Sequence, residues 1–382
     1  MNSAAAPIEH RADIDGLRGI AVLSVFAVHS IPDALRGGFI GVDVFFVISG
    51  YLIALITLGE LAAGRFSIAG FYARRMRRLA PALLAVLLVC LAFAALFAYP
   101  KESKELGKHV MGGAAFVSNL VLWREAGYFD PSSEMKPLLH LWSLGIEEQF
   151  YILWPLAAVA LFRLRRAGIA LLAAAALASF ALNIAFVADK PKGTFFLPLT
   201  RFWEILVGVL LAHWIHHAPG GPVAMLRRWL PAASPWQARV PNLLSMAGVA
   251  LLLSSMALIN KTDHFPGWWA LLPTAGVVLL VAAGAQTWVN RAVLTHPILT
   301  FYGRISYPLY LWHWPLLTLP LLLDRRLTTG QQVLMLCASV VLATATYYTV
   351  ERPFRYGRLA RRAPLLLTAG LVVAGALGWL LY

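Results

Sequence analysis

The sequence predicts an all-α polytopic membrane protein. Three observations lead there. Hydrophobic residues make up 60% of the 382-residue chain and charged residues 13%, against about 45–50% and about 25% in soluble domains. The mean hydropathy is +0.71. About eleven apolar runs reach the roughly 20 residues that a helix needs to cross a bilayer. Together they predict a single integral-membrane domain over 1–382, its helices arranged around a central polar chamber.

The runs lie near 17–35, 38–58, 79–99, 138–162, 167–187, 195–217, 242–260, 268–286, 298–323, 331–350 and 363–381. The first, within "DIDGLRGIAVLSVFAVHS", places Arg18 and His29 among apolar residues. Eleven residues are almost three helical turns, so the two side chains share a face within about 20° and stand about 16 Å apart along the axis. An intramembrane ionisable residue costs about 2.5–3.5 kcal/mol on insertion scales and usually faces an interior cavity. The second run, "GGFIGVDVFFVISGYLI", carries Asp43 between glycines. Just before the third run, "FYARRMRRLAP" contributes Arg74, Arg75, Arg77 and Arg78. Such arginine forks bind phosphates in bidentate fashion, and the same cluster also fits a topology signal or contact with anionic lipid.

The long polar connection from Pro100 to Pro137 holds an apolar stretch, Gly112 to Leu122, too short to span and expected to be re-entrant or interfacial. The fourth run, in "KPLLHLWSLGIEEQFYILWP", aligns His140, Ser143, Glu147, Glu148 and Tyr151 on one helical stripe. In "LPLTRFWEILVG" the sixth run holds Arg201 and Glu204 at i,i+3, where they can pair. The ninth, "GRISYPLYLWHWP", puts Ser306, Tyr310 and His313 on a common face, and its two prolines predict a kinked or interrupted helix. The other runs are apolar almost throughout. Four helices thus aim polar groups inward, as around a substrate chamber.

With the N-terminus inside, twenty of the 32 Lys and Arg residues fall on inner segments, against five acidic residues inside and nine outside. The positive-inside rule then makes the N-terminus cytoplasmic and the C-terminus extracytoplasmic. The +14 formal charge is read as loop arginines setting orientation, not as a nucleic-acid surface. Residues 1–16 show no cleavable signal peptide. Cys90 and Cys337 lie in apolar runs and are read as buried small hydrophobes. No cysteine–histidine set has zinc spacing, and the adjacent His216 and His217 are read as solvated at an inner edge, so no metal is expected.

Seven of these pieces occur in one order along nearly the whole chain: Arg18 and His29 with ten residues between them, "GGFIGVDVFFVISGY", "RRMRRLAP", "HLWSLGIEEQFYILWP", "TRFWEILVG", "ISYPLYLWHWP" and "ERPFR". The chain resembles the acyltransferase-3 family of bacterial inner-membrane acyltransferases. It departs at Phe196, where relatives often carry tyrosine, which argues against a tyrosine relay at that point. It ends without the SGNH esterase-like domain of many members, so a stand-alone membrane form is expected.

The resemblance implies an O-acyltransferase in the bacterial cytoplasmic membrane. It would move an acyl group, most often acetyl, from cytoplasmic acyl-CoA to a hydroxyl of a glycan, lipid-linked sugar or similar acceptor. Arg74, Arg75, Arg77, Arg78 and Arg18 are then the candidates for the nucleotide end of the donor. His29 is the candidate general base, since imidazole titrates nearest working pH. Asp43 or Glu148 would orient it, and Arg18, Arg201 or a hydroxyl of the ninth run would stabilise the oxyanion. The acceptor would meet His140, Ser143, Glu147, Tyr151, Arg201, Glu204, Ser306, Tyr310 and His313. The competing class is a secondary transporter or flippase-like carrier for a lipid-linked sugar, weakened by the lack of an internal repeat.

Overall fold

A computed structural model describes residues 10–30, 35–125, 135–164, 166–218, 221–231, 234–260, 263–357, 360 and 362–382. No strand forms among them. The principal helices are α1 (Ala12–Ser30), α2 (Gly41–Ala62), α3 (Ile68–Leu96), α4 (Pro100–Ala114), α5 (Ser118–Arg124), α6 (Leu141–Leu164) and α7 (Arg166–Phe186). They continue with α8 (Phe202–His217), α9 (Trp236–Leu258), α10 (Leu271–Ala283), α11 (Pro297–Thr318), α12 (Thr329–Ala345) and α13 (Ala363–Leu381). Over the described residues, each apolar run of the sequence overlaps one of these helices. Eight helical segments among the described residues are long and apolar enough to cross a membrane. The chain is an all-α polytopic membrane protein.

Three local expectations change. α3 begins at Ile68, so Arg74 to Arg78 lie within it rather than before it. Ser67 caps that helix by accepting from Gly70 N–H at 3.2 Å, and arginine is a good helix former that a hydropathy window rejects. α11 runs unbroken through Pro308 and Pro315. The stretch from Gly112 to Leu122 is not one element. α4 ends at Ala114, Phe116 takes φ +56°, and α5 starts at Ser118.

The described chain forms two compact units. The first contains α1, α2, α6 from Ile152, α7 to α10 and α11 up to Arg304. α2 is its central helix, with 72% of its apolar window buried, against 22% for α7. In a bilayer, the uncovered leucines and alanines of such outer helices meet acyl chains instead of water. α2 and α8 touch backbone to backbone. A Cβ on Gly50 would stand 1.9 Å from the Ile205 carbonyl oxygen, and one on Gly208 would stand 2.1 Å from that of Val47. Without a hydrophobic force between membrane helices, such small-residue contacts supply the packing. α1 is seated in the same way, since a Cβ on Gly16 would lie 1.7 Å from the Leu294 carbonyl oxygen. Its first turn is tied down by Asp13, which accepts from Arg11 at 2.6 and 2.7 Å and from Asn290 at 2.9 Å.

The second unit contains α3 to α5, α6 up to Tyr151, α11 from Ile305, α12 and α13. Leu83, Val86, Leu87 and Cys90 of α3 are fully buried. Cys337, by contrast, is exposed on α12. α4 packs on α13 where a Cβ on Gly107 would be 2.6 Å from the Gly378 carbonyl oxygen.

Candidate active site

In the first unit, Arg18 and His29 are both half-buried on α1, which is helical from one to the other. The face they share by spacing is therefore a real helical face. The largest fully buried polar side chain of this unit is Arg201, at the N-terminal edge of α8. Its Nη2 donates to Asp43 Oδ1 at 3.0 Å, and its Nη1 lies 3.0 Å from Glu204 Oε1. All three side chains are essentially inaccessible, at 0–1% exposure. The rings of Phe46, Phe265 and Phe195 stand 5.2, 5.7 and 5.8 Å from the guanidinium carbon. Aromatic faces stabilise a cation that water cannot reach. Asp43 is in the first turn of α2, where the helix dipole favours negative charge. The i,i+3 pairing of Arg201 with Glu204 is as the sequence suggested, but Asp43 completes it as a third member and is turned to Arg201. Phe196 is fully buried, its ring centre 5.2 Å from that of Phe195.

The polar stripe of α6 divides between two clusters in the second unit. In one, Arg75 Nη2 donates to Glu148 at 2.5 Å and its guanidinium lies 3.7 Å from the Tyr151 ring centre. Arg75 thus engages a carboxylate and an aromatic face while its buried Nε finds no partner among the described residues, and Arg74 is exposed. Arg77 donates to the Ala73 and Ala360 carbonyls at 3.2 and 3.3 Å, and Arg78 is half-buried. Glu148 is turned to Arg75.

In the other cluster, Tyr310 Oη donates to the His140 carbonyl oxygen at 2.8 Å and accepts from Ser143 Oγ at 2.8 Å. The His140 and His313 rings are 5.7 Å apart. His313 donates Nδ1–H to the Tyr310 carbonyl at 2.7 Å, which fixes its tautomer. Two imidazoles and two hydroxyls therefore meet in a buried set. Ser306 is also buried, and Glu147 is half-buried.

Two groupings escaped the sequence reading. Glu125 is the hub of an ion-pair set with Lys108, His109 and, at 2.6 Å, Lys136. Burial alone would raise its carboxyl, but the hydrogen bonds and charges of His109, Lys108 and Lys136 hold it well below the ordinary 4.5. Burial would lower Lys108, yet Glu125 and Glu105 raise it above 10.5. Glu105, His109 and Glu125 bring potential metal-ligand atoms within 4.8 Å of one another. Two ammonium groups already neutralise these carboxylates, which is ion-pair chemistry, not an open coordination shell. Glu105, Lys108 and His109 share α4 at i,i+3 and i,i+4 spacing, but nothing local joins them to Glu125 or Lys136. His213 and His217 stack with ring centres 4.0 Å apart, and their i,i+4 spacing was legible in "HWIHH".

Inward imidazoles, hydroxyls and guanidinium groups on membrane helices define a class of membrane-embedded enzyme or carrier. The comparisons with known proteins decide between the two. The family described as "Acyltransferase domain" matches residues 11–348, and the chain belongs to this family, acyltransferase-3. Peptidoglycan O-acetyltransferase OatA of Listeria monocytogenes is 29% identical over 353 residues, covering 90% of this chain and 55% of the relative. A putative O-acetyltransferase of Staphylococcus aureus strain COL is 29% identical over 358 residues, with 90% and 57% covered. O-acetyltransferase OatA of Staphylococcus aureus strain NCTC 8325 gives 29% over 357 residues with the same coverage. The chain thus spans somewhat more than half the length of these relatives. No solved structure gives a significant match.

Proposed function

We propose that this chain is a membrane-embedded O-acetyltransferase that carries acetyl from cytoplasmic acetyl-CoA to a hydroxyl of an exported or lipid-linked glycan in the bacterial cytoplasmic membrane. One observation carries most of the reading: Arg18 and His29 share a face of one unbroken helix in a chain whose family is that of acyltransferases. O-acetyltransferase relatives support acetyl as the group and sugar hydroxyls as the acceptor. The arginine distribution supports a cytoplasmic N-terminus and hence a donor entering from that side.

In this reading, His29 removes the acceptor O–H proton as the oxygen attacks the thioester carbonyl. The new C–O bond forms, the tetrahedral intermediate collapses with rupture of C–S, and the imidazolium returns its proton to the departing thiolate. Arg18 steadies the oxyanion, the kind of electrostatic aid that weighs most where water is excluded. Arg74, Arg77 and Arg78 hold the donor's phosphates, while Arg75, which donates to Glu148 and lies over the Tyr151 ring, is given to positioning. Asp43, Arg201 and Glu204 engage one another and are assigned to holding α2 to α8. His140, Ser143, Tyr310 and His313 form the acceptor's polar surface.

The test is transfer of radiolabelled acetyl from acetyl-CoA to membrane glycan in inverted vesicles containing the wild-type chain or His29→Ala. Labelled glycan with the wild type and none with a correctly inserted variant is expected. Equal labelling by both removes His29 from the chemistry, and no wild-type labelling removes the activity itself.

A further inference from the structure

The first unit contains a cavity of about 540 Å³ that the acyl-transfer reading does not use. Its walls come from the end of α6, the start of α7 and the end of α8, with Leu58 of α2. That volume falls in the range of small-ligand sites, about 300–1,000 Å³. The lining is sorted along its length. Arg166 is the first residue of α7, and His213 and His217 are in the last turns of α8, so all three stand at the helix ends. Leu172 lies six residues deeper along α7 and Val209 eight residues back along α8 from His217. At about 1.5 Å per residue, the apolar part runs roughly 9–12 Å inward from the polar mouth. Trp154, Ala158, Leu161, Phe162 and Ile169 add further apolar wall, and no carboxylate is among the described lining residues.

We infer that this cavity binds an anionic glycerophospholipid, with the phosphate at Arg166, His213 and His217 and the first part of one acyl chain along the apolar wall. A cationic mouth with donor N–H groups over an apolar slot matches an amphiphile with a negative head. Exposure of Arg166 and His217 leaves the mouth open to a headgroup. Basic pockets between membrane helices on the cytoplasmic side are suited to anionic headgroups. The proposed topology puts 163–166 and 213–217 on that side. The rings stack at 4.0 Å, and because His217 already donates Nδ1–H to the His213 carbonyl at 3.0 Å, its Nε2 donates to a phosphate when the ring carries its second proton. The inference is independent of the acyl-transfer reading.

The test uses the full chain, delipidated in a neutral detergent, with phosphatidylglycerol or phosphatidylcholine titrated in while the melting temperature is followed. Phosphatidylglycerol should raise Tm saturably, and phosphatidylcholine at the same mole fraction should not. The triple variant Arg166→Gln, His213→Gln, His217→Gln should need at least fivefold more phosphatidylglycerol, the loss of about one headgroup cation. Arg227→Gln with Arg228→Gln, a charge change away from the cavity, should leave the response intact. An equal response to both lipids, an undiminished response in the triple variant, or loss in the control overturns the inference. Displacement of the lipid response by free coenzyme A would overturn it in favour of a nucleotide ligand.

Discussion

Arg201→Met tests what a fully buried charge in the first unit is for. The guanidinium is 0% exposed and lies between Asp43 at 1% and Glu204 at 0%. Removing one partner of a buried ion pair typically costs about 3–5 kcal/mol, because the remaining charge stays buried without compensation. Here two carboxyl groups are stranded, so the upper end applies. At about 2–4 °C per kcal/mol for a large domain, Tm should fall on the order of 10 °C. The triple variant Asp43→Leu, Arg201→Met, Glu204→Leu separates structure from substrate contact. Replacing a whole buried ionic group by apolar residues of similar volume is often neutral or stabilising, so Tm should return close to the wild-type value. If the triad only joins α2 to α8, acetyl transfer should return with it. The assay is thermal unfolding of detergent-purified protein followed by fluorescence, with transfer measured on the same preparations. An Arg201→Met Tm within about 2 °C of wild type would refute the reasoning.

Other predictions follow from the same contacts. Tyr310→Phe removes the hydroxyl that bonds both Ser143 and the His140 carbonyl. It should lower acetyl transfer at least tenfold with little change in Tm, read by label incorporation. Glu125→Gln tests the set formed with Lys108, His109, Lys136 and Glu105. A carboxyl held below 4.5 contributes stability that is present above that pH and lost as pH falls toward its depressed folded value. The Tm gap between wild type and variant should therefore persist at pH 5 and above, where Lys108, raised above 10.5, stays charged. It should then shrink on acidification below about 4.5, as differential scanning fluorimetry would record. Combined Arg74→Gln, Arg77→Gln and Arg78→Gln should abolish the rise in Tm produced by coenzyme A while leaving the unliganded Tm nearly unchanged.

Much of the fold was legible because hydropathy alone decides where a chain enters a bilayer, and over the described residues each apolar run overlaps a helix. Helix ends were less legible. α3 starts eleven residues before its apolar run, because arginines that belong to a helix look like the loop ahead of it. The two prolines of α11 suggested an interruption that does not occur. Polar pairings followed sequence distance. Arg201 with Glu204 could be read from i,i+3 spacing, whereas Asp43 is 158 residues from Arg201, and Arg75 is 73 from Glu148. No local pattern announces such partners, so Asp43 and Glu148 looked available to orient His29, although in the structure each is held by an arginine. Of the stripe expected on one helix, His140 lies in the turn just before α6, and the rest divides between two clusters. His140 and Ser143 meet Tyr310 and His313, while Glu148 and Tyr151 meet Arg75.

The central claim is that an imidazole within the membrane helices moves the acceptor's proton. Steady-state acetyl transfer by His29→Gln measures it most directly, with coenzyme A-dependent stabilisation recorded in parallel to establish that donor binding survives. General-base removal costs about 10²- to 10⁴-fold, so kcat should fall at least a hundredfold while the donor-induced rise in Tm persists. A kcat within threefold of wild type would contradict the account.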